Sequence, residues 1–309
     1  MINESAISLK QLRALAAIVE HGSLTAAAEM LTLTPPAVST QLKLLEENLG
    51  TRLLMRGNDG KTSLTSAGQE VHRTIRQIES SLNNCYEKVK SIRQGRYGFI
   101  SIGVVSTGKY FAPKLISTFQ KENPEIQVGL RIGNREEIIS QIVDGAVDVA
   151  IMGRPPRANV VTAEILGPHP HIFIAWPGHH LAGGCDVSPD ALLGETFLTR
   201  ERGSGTRILM ERLLDRFGEG RPYKTLSVGT NETIKQAVMA ELGIALISGH
   251  TVANELADGR LVRLHVPSTP VYRQWFLMHR RDMPLTAVTE KFRRFIVEQK
   301  GSYLPVLPD

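Results

Sequence analysis

Residues 22–56 read GSLTAAAEMLTLTPPAVSTQLKLLEENLGTRLLMR, and the reading of this stretch decides the fold of the N-terminal region. Ser23 is an N-cap residue, and Ala26, Ala27, Ala28 and Leu31 give the helix behind it a small-residue face that lets a neighbour come close. Thr32-Leu33 is a short turn. Thr34 is placed to cap a second helix, with Pro35 in its first turn, where a missing N–H costs nothing. Val38, Leu42, Leu45 and Leu49 form its buried stripe, while Pro36, Ser39, Thr40 and Lys43 point the other way. Upstream, Ser8 and Gln11 have capping-box spacing ahead of Leu12, Leu15, Ala16 and Val19, and His21-Gly22 ends that helix.

Downstream, residues 53–56 and 61–64 are two short strands around the turn Asn58-Asp59-Gly60. Three helices and a hairpin make a winged helix-turn-helix. Short polar groups and one cation on the exposed face suit base edges or phosphates in a major groove, and Arg56 and Lys61 suit phosphates. Periodicity alone leaves open a small helical domain whose polar face merely meets water.

A longer helix follows, started by Thr65 or Ser66, with Ser66 and Gln69 again at capping-box spacing. Val71, Ile75, Ile78, Leu82, Cys85, Val89 and Ile92 alternate steps of four and three, a heptad seam. The seam packs either on the chain's own body or on a second copy. Apolar residues at both seam positions favour the second copy, which also suits a helix-turn-helix on a palindromic site. Residues 94–98 break the helix as a hinge. The expected domains are 1–65, a linker helix 66–94, and 95–309.

From residue 99 strands and helices alternate, which predicts parallel sheet with helices on its faces. Strands are expected at 99–105, 126–132, 147–152, 171–176, 197–199, 226–228 and 244–247, and the last helix, 287–299, returns to the first set. The fold class is α/β: two halves, 95–165 with 268–309 and 166–267, enclosing a cleft. Ligands in such folds sit beyond strand ends, against helix N-termini. Four segments stand there: residues 105–109, 133–135, 200–207 and 229–232, with Arg135, Arg154, Arg200, Arg202 and Arg207 close by to pair with carboxylate or phosphate. Any one of these loops also reads as an ordinary helix cap.

The 309 residues are 42% hydrophobic and 22% charged with a net charge of +5, a globular composition mildly suited to a polyanion. No apolar run spans a membrane and no signal peptide is seen, so a cytoplasmic location is expected. Gly203–Arg207 lacks the ending of a P-loop. His169, His171, His179 and His180, with only Cys185 and Asp186 nearby at ligand spacing, make a metal site conceivable, but a surface or loop role is the expected one. No nucleophile–base set and no cofactor motif emerges, so neither catalytic residues nor a metal are expected. A transport binding protein shares the cleft but would not carry the DNA-binding head.

Residues 8–68 resemble the DNA-binding domain of LysR-type regulators, through Leu12 to Val19, residues 22–56 and LTSAG at 64–68. The resemblance places Thr34, Pro35, Pro36, Ser39, Thr40 and Lys43 at the groove and Arg56 on the backbone, with Ser23 and Lys61 completing the set. The family often has Gln where Thr34 stands and Arg where Thr40 stands. It also implies dimers or tetramers joined by the linker helix, promoter DNA and RNA polymerase as partners, and no membrane. Residues 99–300 are similar to the family's effector domain, of the periplasmic-binding-protein type 2 fold. Ser106 and Thr107 are then first-loop contacts, joined by Asn134, Arg135, Thr206 and Thr230, and by Arg154, Arg202, Ser204, Arg207 and Asn231. RERGSGTR at 200–207 and VGTNETIKQAVMAELGIALIS at 228–248 look like the CbbR branch, activators of Calvin-cycle carbon-fixation operons that respond to phosphorylated metabolites or NADPH. The alternative is a regulator of another operon sensing a small carboxylate.

Overall fold

The computed structural model describes residues 6–56, 62–93, 98–156, 159–184 and 186–308. The chain divides into two units, residues 1–85 and 86–309. In the first, helices α1 (Leu9–His21), α2 (Leu24–Leu31) and α3 (Pro35–Leu49) precede the strands β1 (Leu54–Arg56) and β2 (Thr62–Leu64). The α1 capping box forms as expected, and Gly22 and Gly50 end α1 and α3 in the left-handed conformation. Thr34 is the N-cap of α3 but its side chain makes no capping bond; the prolines that follow supply fewer N–H groups to cap. Ala14, Ala17, Ile18, Ala27, Ala28 and Val38 form one core, and Leu15, Leu45, Leu53 and Ile75 a second. β1 and β2 pair antiparallel with Leu54 opposite Leu64. The turn at 58–60, Lys61 and residues 94–97 of the expected hinge lie outside the described residues.

Helix α4 runs from Ser66 to Arg93. Its cap is Thr65 rather than the Ser66–Gln69 pair: the Thr65 hydroxyl accepts the Gly68 N–H at 2.9 Å and reaches the Arg52 carbonyl at 2.9 Å. The heptad seam divides. Ile75 is fully buried and Val71 packs beside it in the core of the N-terminal unit, so these two serve their own chain. Ile78 is half-buried, so among the described seam residues Leu82, Cys85, Val89 and Ile92 are the exposed ones.

The second unit opens with β3 (Gly98–Val105), a 3₁₀ turn (Ser106–Tyr110), α5 (Ala112–Glu122), β4 (Ile126–Gly133), α6 (Arg135–Val143) and β5 (Val149–Met152). There follow β6 (Val161–Ala175), α7 (Pro189–Leu193), β7 (Thr196–Arg200), α8 (Gly205–Gly218), β8 (Lys224–Gly229), α9 (Asn231–Met239) and β9 (Ala245–Ser248). The chain closes with α10 (Gly249–Ala257), β10 (Val262–Arg263), β11 (Val271–Arg280) and α11 (Ala287–Glu298).

The expected parallel pairing is present, but the sheet is mixed. β3 pairs in parallel with β4 and β5, and β7 with β8, but β11 pairs antiparallel with both β5 and β6. Sequence spacing showed only the end of β6, which is a 15-residue strand, and missed β11. These two strands cross between the two sets of elements. The first set is packed by Ile100, Phe119, Ile151 and Phe292, so α11 does return to it. The second is packed by Phe173, Phe197, Leu214 and Leu246 on one side and by Ile174, Val238 and Ile247 on the other.

Candidate DNA face and ligand cavity

On α3, Thr34, Pro35, Pro36, Ser39, Thr40 and Lys43 are all exposed, opposite buried Val38 and Leu45. The helix is held by its own acid: Glu46 accepts the Leu53 N–H at 2.7 Å, fastening the start of the hairpin. The Thr40 hydroxyl donates to the Pro36 carbonyl at 2.9 Å, so a base contact by that group would replace a local bond. Lys43 lies 3.7 Å from Glu47, an exposed pair that leaves the ammonium free to turn toward a phosphate. The Ser23 hydroxyl caps α2, accepting from Ala26 N at 3.1 Å. The Arg56 side chain and Lys61 lie outside the described residues.

In the second unit a cavity of about 270 Å³ opens where strands meet helix N-termini. Ser106 and Thr107 reach it from the turn after β3, Asn134 and Arg135 from the start of α6, Arg154 from the segment after β5, and Ser204 and Thr206 from the start of α8. Ser204 is the N-cap of α8 but its side chain makes no capping bond, so the first N–H groups of this 14-residue helix remain available to an anion. Four expected contacts are absent from the wall. Arg207 pairs with Glu211 at 2.8 Å, and Arg202 is exposed. Thr230 caps α9 by accepting from Thr233 N at 3.2 Å. Asn231 is buried and accepts from the Arg200 guanidinium.

Arg200 itself lines the cavity although only 4% exposed. It donates to the Ser106 hydroxyl at 2.9 Å and to both oxygens of Glu201. Arg135 is held by the carbonyls of Arg154 and Pro155. Among the described residues neither Arg135 nor Arg154, Arg212 and Arg273, which share the wall, has a carboxylate partner. Burial, then the neighbouring guanidinium groups, push the pKa values of Arg135 and Arg273 down. Such a field favours an anion with more than one charge.

Sequence reading missed His169, His171, Arg212 and Arg273 as cavity residues. The signal lies in strand register: Arg273 stands directly opposite His169 and Val271 opposite His171, so these side chains share one face of the β6–β11 pair. The His169 ring stacks on Trp275 with centroids 3.9 Å apart, and His171 sits 4.3 Å beyond it. Burial above all holds both histidines neutral: His171 falls to about 3 and His169 well below its ordinary value.

One other group has metal-ligand composition. His179, His180 and Glu195 bring one ligand atom each within 4.8 Å of one another. The Leu181 N–H donates to His179 Nδ1 at 3.1 Å, however, so Nε2 carries the ring proton and gives it to Glu195 at 3.3 Å. A metal at Nε2 would require a doubly deprotonated ring, and the group is better described as two histidines clamped by a carboxylate.

Residues 9–69 match the model of the bacterial regulatory helix-turn-helix protein, lysR family, and residues 93–301 match the LysR substrate binding domain. The chain is 47% identical over 309 residues to the HTH-type transcriptional regulator CbbR of Cereibacter sphaeroides, covering 100% of both. The CcmR regulatory domain of Synechocystis PCC6803, solved in complex with 2-PG, superposes with a TM-score of 0.61 at 30% identity, over 66% of this chain and 97% of that one. CbnR, a LysR family regulator, shares the fold at a TM-score of 0.68 and 18% identity, over 96% of this chain and 99% of its own. With both halves matched and the helix-turn-helix and the cleft in place, the chain belongs to the LysR family of bacterial transcriptional regulators.

Proposed function

We propose that this regulator binds promoter DNA as a homodimer or homotetramer and activates carbon-fixation (Calvin-cycle) genes when a phosphorylated metabolite or NADPH occupies the cavity. Residues 1–65 form the DNA-binding domain, 66–94 the linker helix and 95–309 the effector domain. Its halves are 95–165 with 268–309, and 166–267. The exposed face of α3 meets the major groove, and Leu82, Cys85, Val89 and Ile92 meet a second copy. RNA polymerase is the partner of the activated state, and the protein acts in the cytoplasm.

The observation that carries the effector reading is the cavity wall. Uncapped N–H groups of α8, the hydroxyls of Ser106 and Thr206, and arginines without carboxylate partners converge on about 270 Å³. The names of the relatives support the gene class. A ligand shifts a regulator only through different affinity for its two states, so binding and DNA occupancy must be measured together. Calorimetry with ribulose bisphosphate, 2-phosphoglycolate, phosphoenolpyruvate, NADPH and an aromatic acid, paired with footprinting on a carbon-fixation promoter, tests the reading. Tight binding of a phosphorylated compound with a changed footprint supports it. Binding of the aromatic acid alone would assign the chain to a catabolic operon. In parallel, Ser106→Leu is expected to abolish ligand binding and leave DNA binding intact.

A further inference from the structure

The cavity's floor holds buried titratable groups that anion binding by arginines does not by itself require. His169 and His171 line it, are 4% and 3% exposed, and face no carboxylate from the wall. Around them stand Arg273 on β11, Arg154 after β5, Arg135 on α6, Arg212 on α8, and His250 on α10. Arg200 on β7 is already matched, by Glu201. In the empty cavity this field repels a further positive charge, and an anion would reverse its sign.

The geometry points to proton-coupled ligand uptake: an anion that enters the cavity is taken up together with a proton, which His171 receives. This rests on the reading of the cavity as an anion site. The three buried rings differ in what a second proton would meet. His250 Nδ1 accepts the Trp275 indole N–H at 3.1 Å, so a proton there would break a buried bond. His169 bonds the Ser248 hydroxyl through Nε2 at 3.0 Å, while its buried Nδ1 has no partner and lies 3.1 Å from where a Cβ on Gly153 would stand. A proton on that atom would have no acceptor in the protein. His171 Nδ1 lies 3.2 Å from the His169 carbonyl, and backbone hydrogen bonds to His169 and Val271 both favour the charged ring. Burial opposes it first, then the Arg273 charge with His250, and the Arg273 charge is what a bound anion offsets.

The direction follows by linkage. A proton gained on binding makes affinity rise as pH falls, by about fourfold between pH 8 and pH 6 if the ring is half charged in the complex at pH 6.5. The test is calorimetry of the full-length protein with 2-phosphoglycolate at pH 6.5, in two buffers of different ionisation heat, which counts protons taken up. The share of a ligand bound as its fully ionised anion follows from its titration curve and is subtracted. His171→Asn keeps a donor for the His169 carbonyl and removes the second protonation site. An uptake of roughly half a proton beyond the ligand's share, lost in H171N, is the expected result. Binding whose count equals the ligand's share overturns proton coupling and leaves the anion site standing. No binding of the wild-type protein to 2-phosphoglycolate or to any other phosphorylated compound of the panel overturns the anion reading beneath it.

Discussion

Glu201 grips Arg200 with both carboxylate oxygens, at 2.8 Å to Nε and 2.7 Å to Nη2, while the same guanidinium lines the ligand cavity. The protein's own acid therefore occupies donors that an anionic effector would use. Glu201 is about a third exposed and Arg200 is buried, so the carboxylate is the partner free to leave.

Substituting Glu201→Gln is expected to tighten 2-phosphoglycolate binding. Removing a competing, partly exposed ion pair is worth about 1 kcal/mol, roughly fivefold in affinity. Arg200 keeps Ser106 and Asn231 as partners, so the fold should survive. Calorimetry with an unchanged or weaker Kd would contradict the competition.

Acid should destabilise the second unit in its ligand-free form. Burial lowers His171 to about 3 and His250 to about 4, against an ordinary 6.5. Between those values the unfolded chain binds more protons, so stability is complete above pH 6.5 and is lost as pH falls. For His171 alone the loss is about 2 kcal/mol at pH 5. Urea unfolding at pH 7.5 and pH 5 measures it, and a flat profile would refute the buried neutral state.

Lys43 projects from α3 at 77% side-chain exposure. Lys43→Ala is expected to lower the salt dependence of DNA binding, the slope of log K against log salt falling by about 0.9. Its Tm should not move. Leu45→Ala, by contrast, removes a fully buried side chain, and about 2–5 kcal/mol of stability should go with it.

Gly68 marks a close approach between the start of α4 and the hairpin. A Cβ there would stand 2.1 Å from the Leu53 carbonyl oxygen, a backbone atom that cannot step aside. Gly68→Ala is expected to cost about 1–3 kcal/mol through overpacking, read as a lower Tm of the N-terminal unit. Ligand binding in the cavity should persist.

Much of this was legible because local chemistry dictated it. Ser8 and Ser23 cap helices where they were expected to, and Val38 and Leu45 of the stripe lie inside. The cleft's hydroxyls and Arg135 also announced themselves at strand ends. His169, His171 and Arg273 did not, because their side chains meet only through the register of two strands about a hundred residues apart. The divided seam of α4 escaped for a related reason: heptad spacing shows which residues share a face, not what covers them, and Ile75 is covered by Leu15, Leu45 and Leu53.

β6 and β11 run through the second unit as one long antiparallel ribbon. Sliding one strand past the other would break their ladder from Val271–His171 to Arg280–Val161 all at once, whereas torsion about the ribbon's long axis strains each rung only slightly. The ladder's one irregularity, between Trp275 and Phe276, falls beside Gly167, whose φ of 153° suits a residue without a side chain. His169, His171 and Arg273 of this ribbon line the cavity, so a ligand held there would grip the ribbon near one end, two rungs from the irregularity, where a twist can enter it.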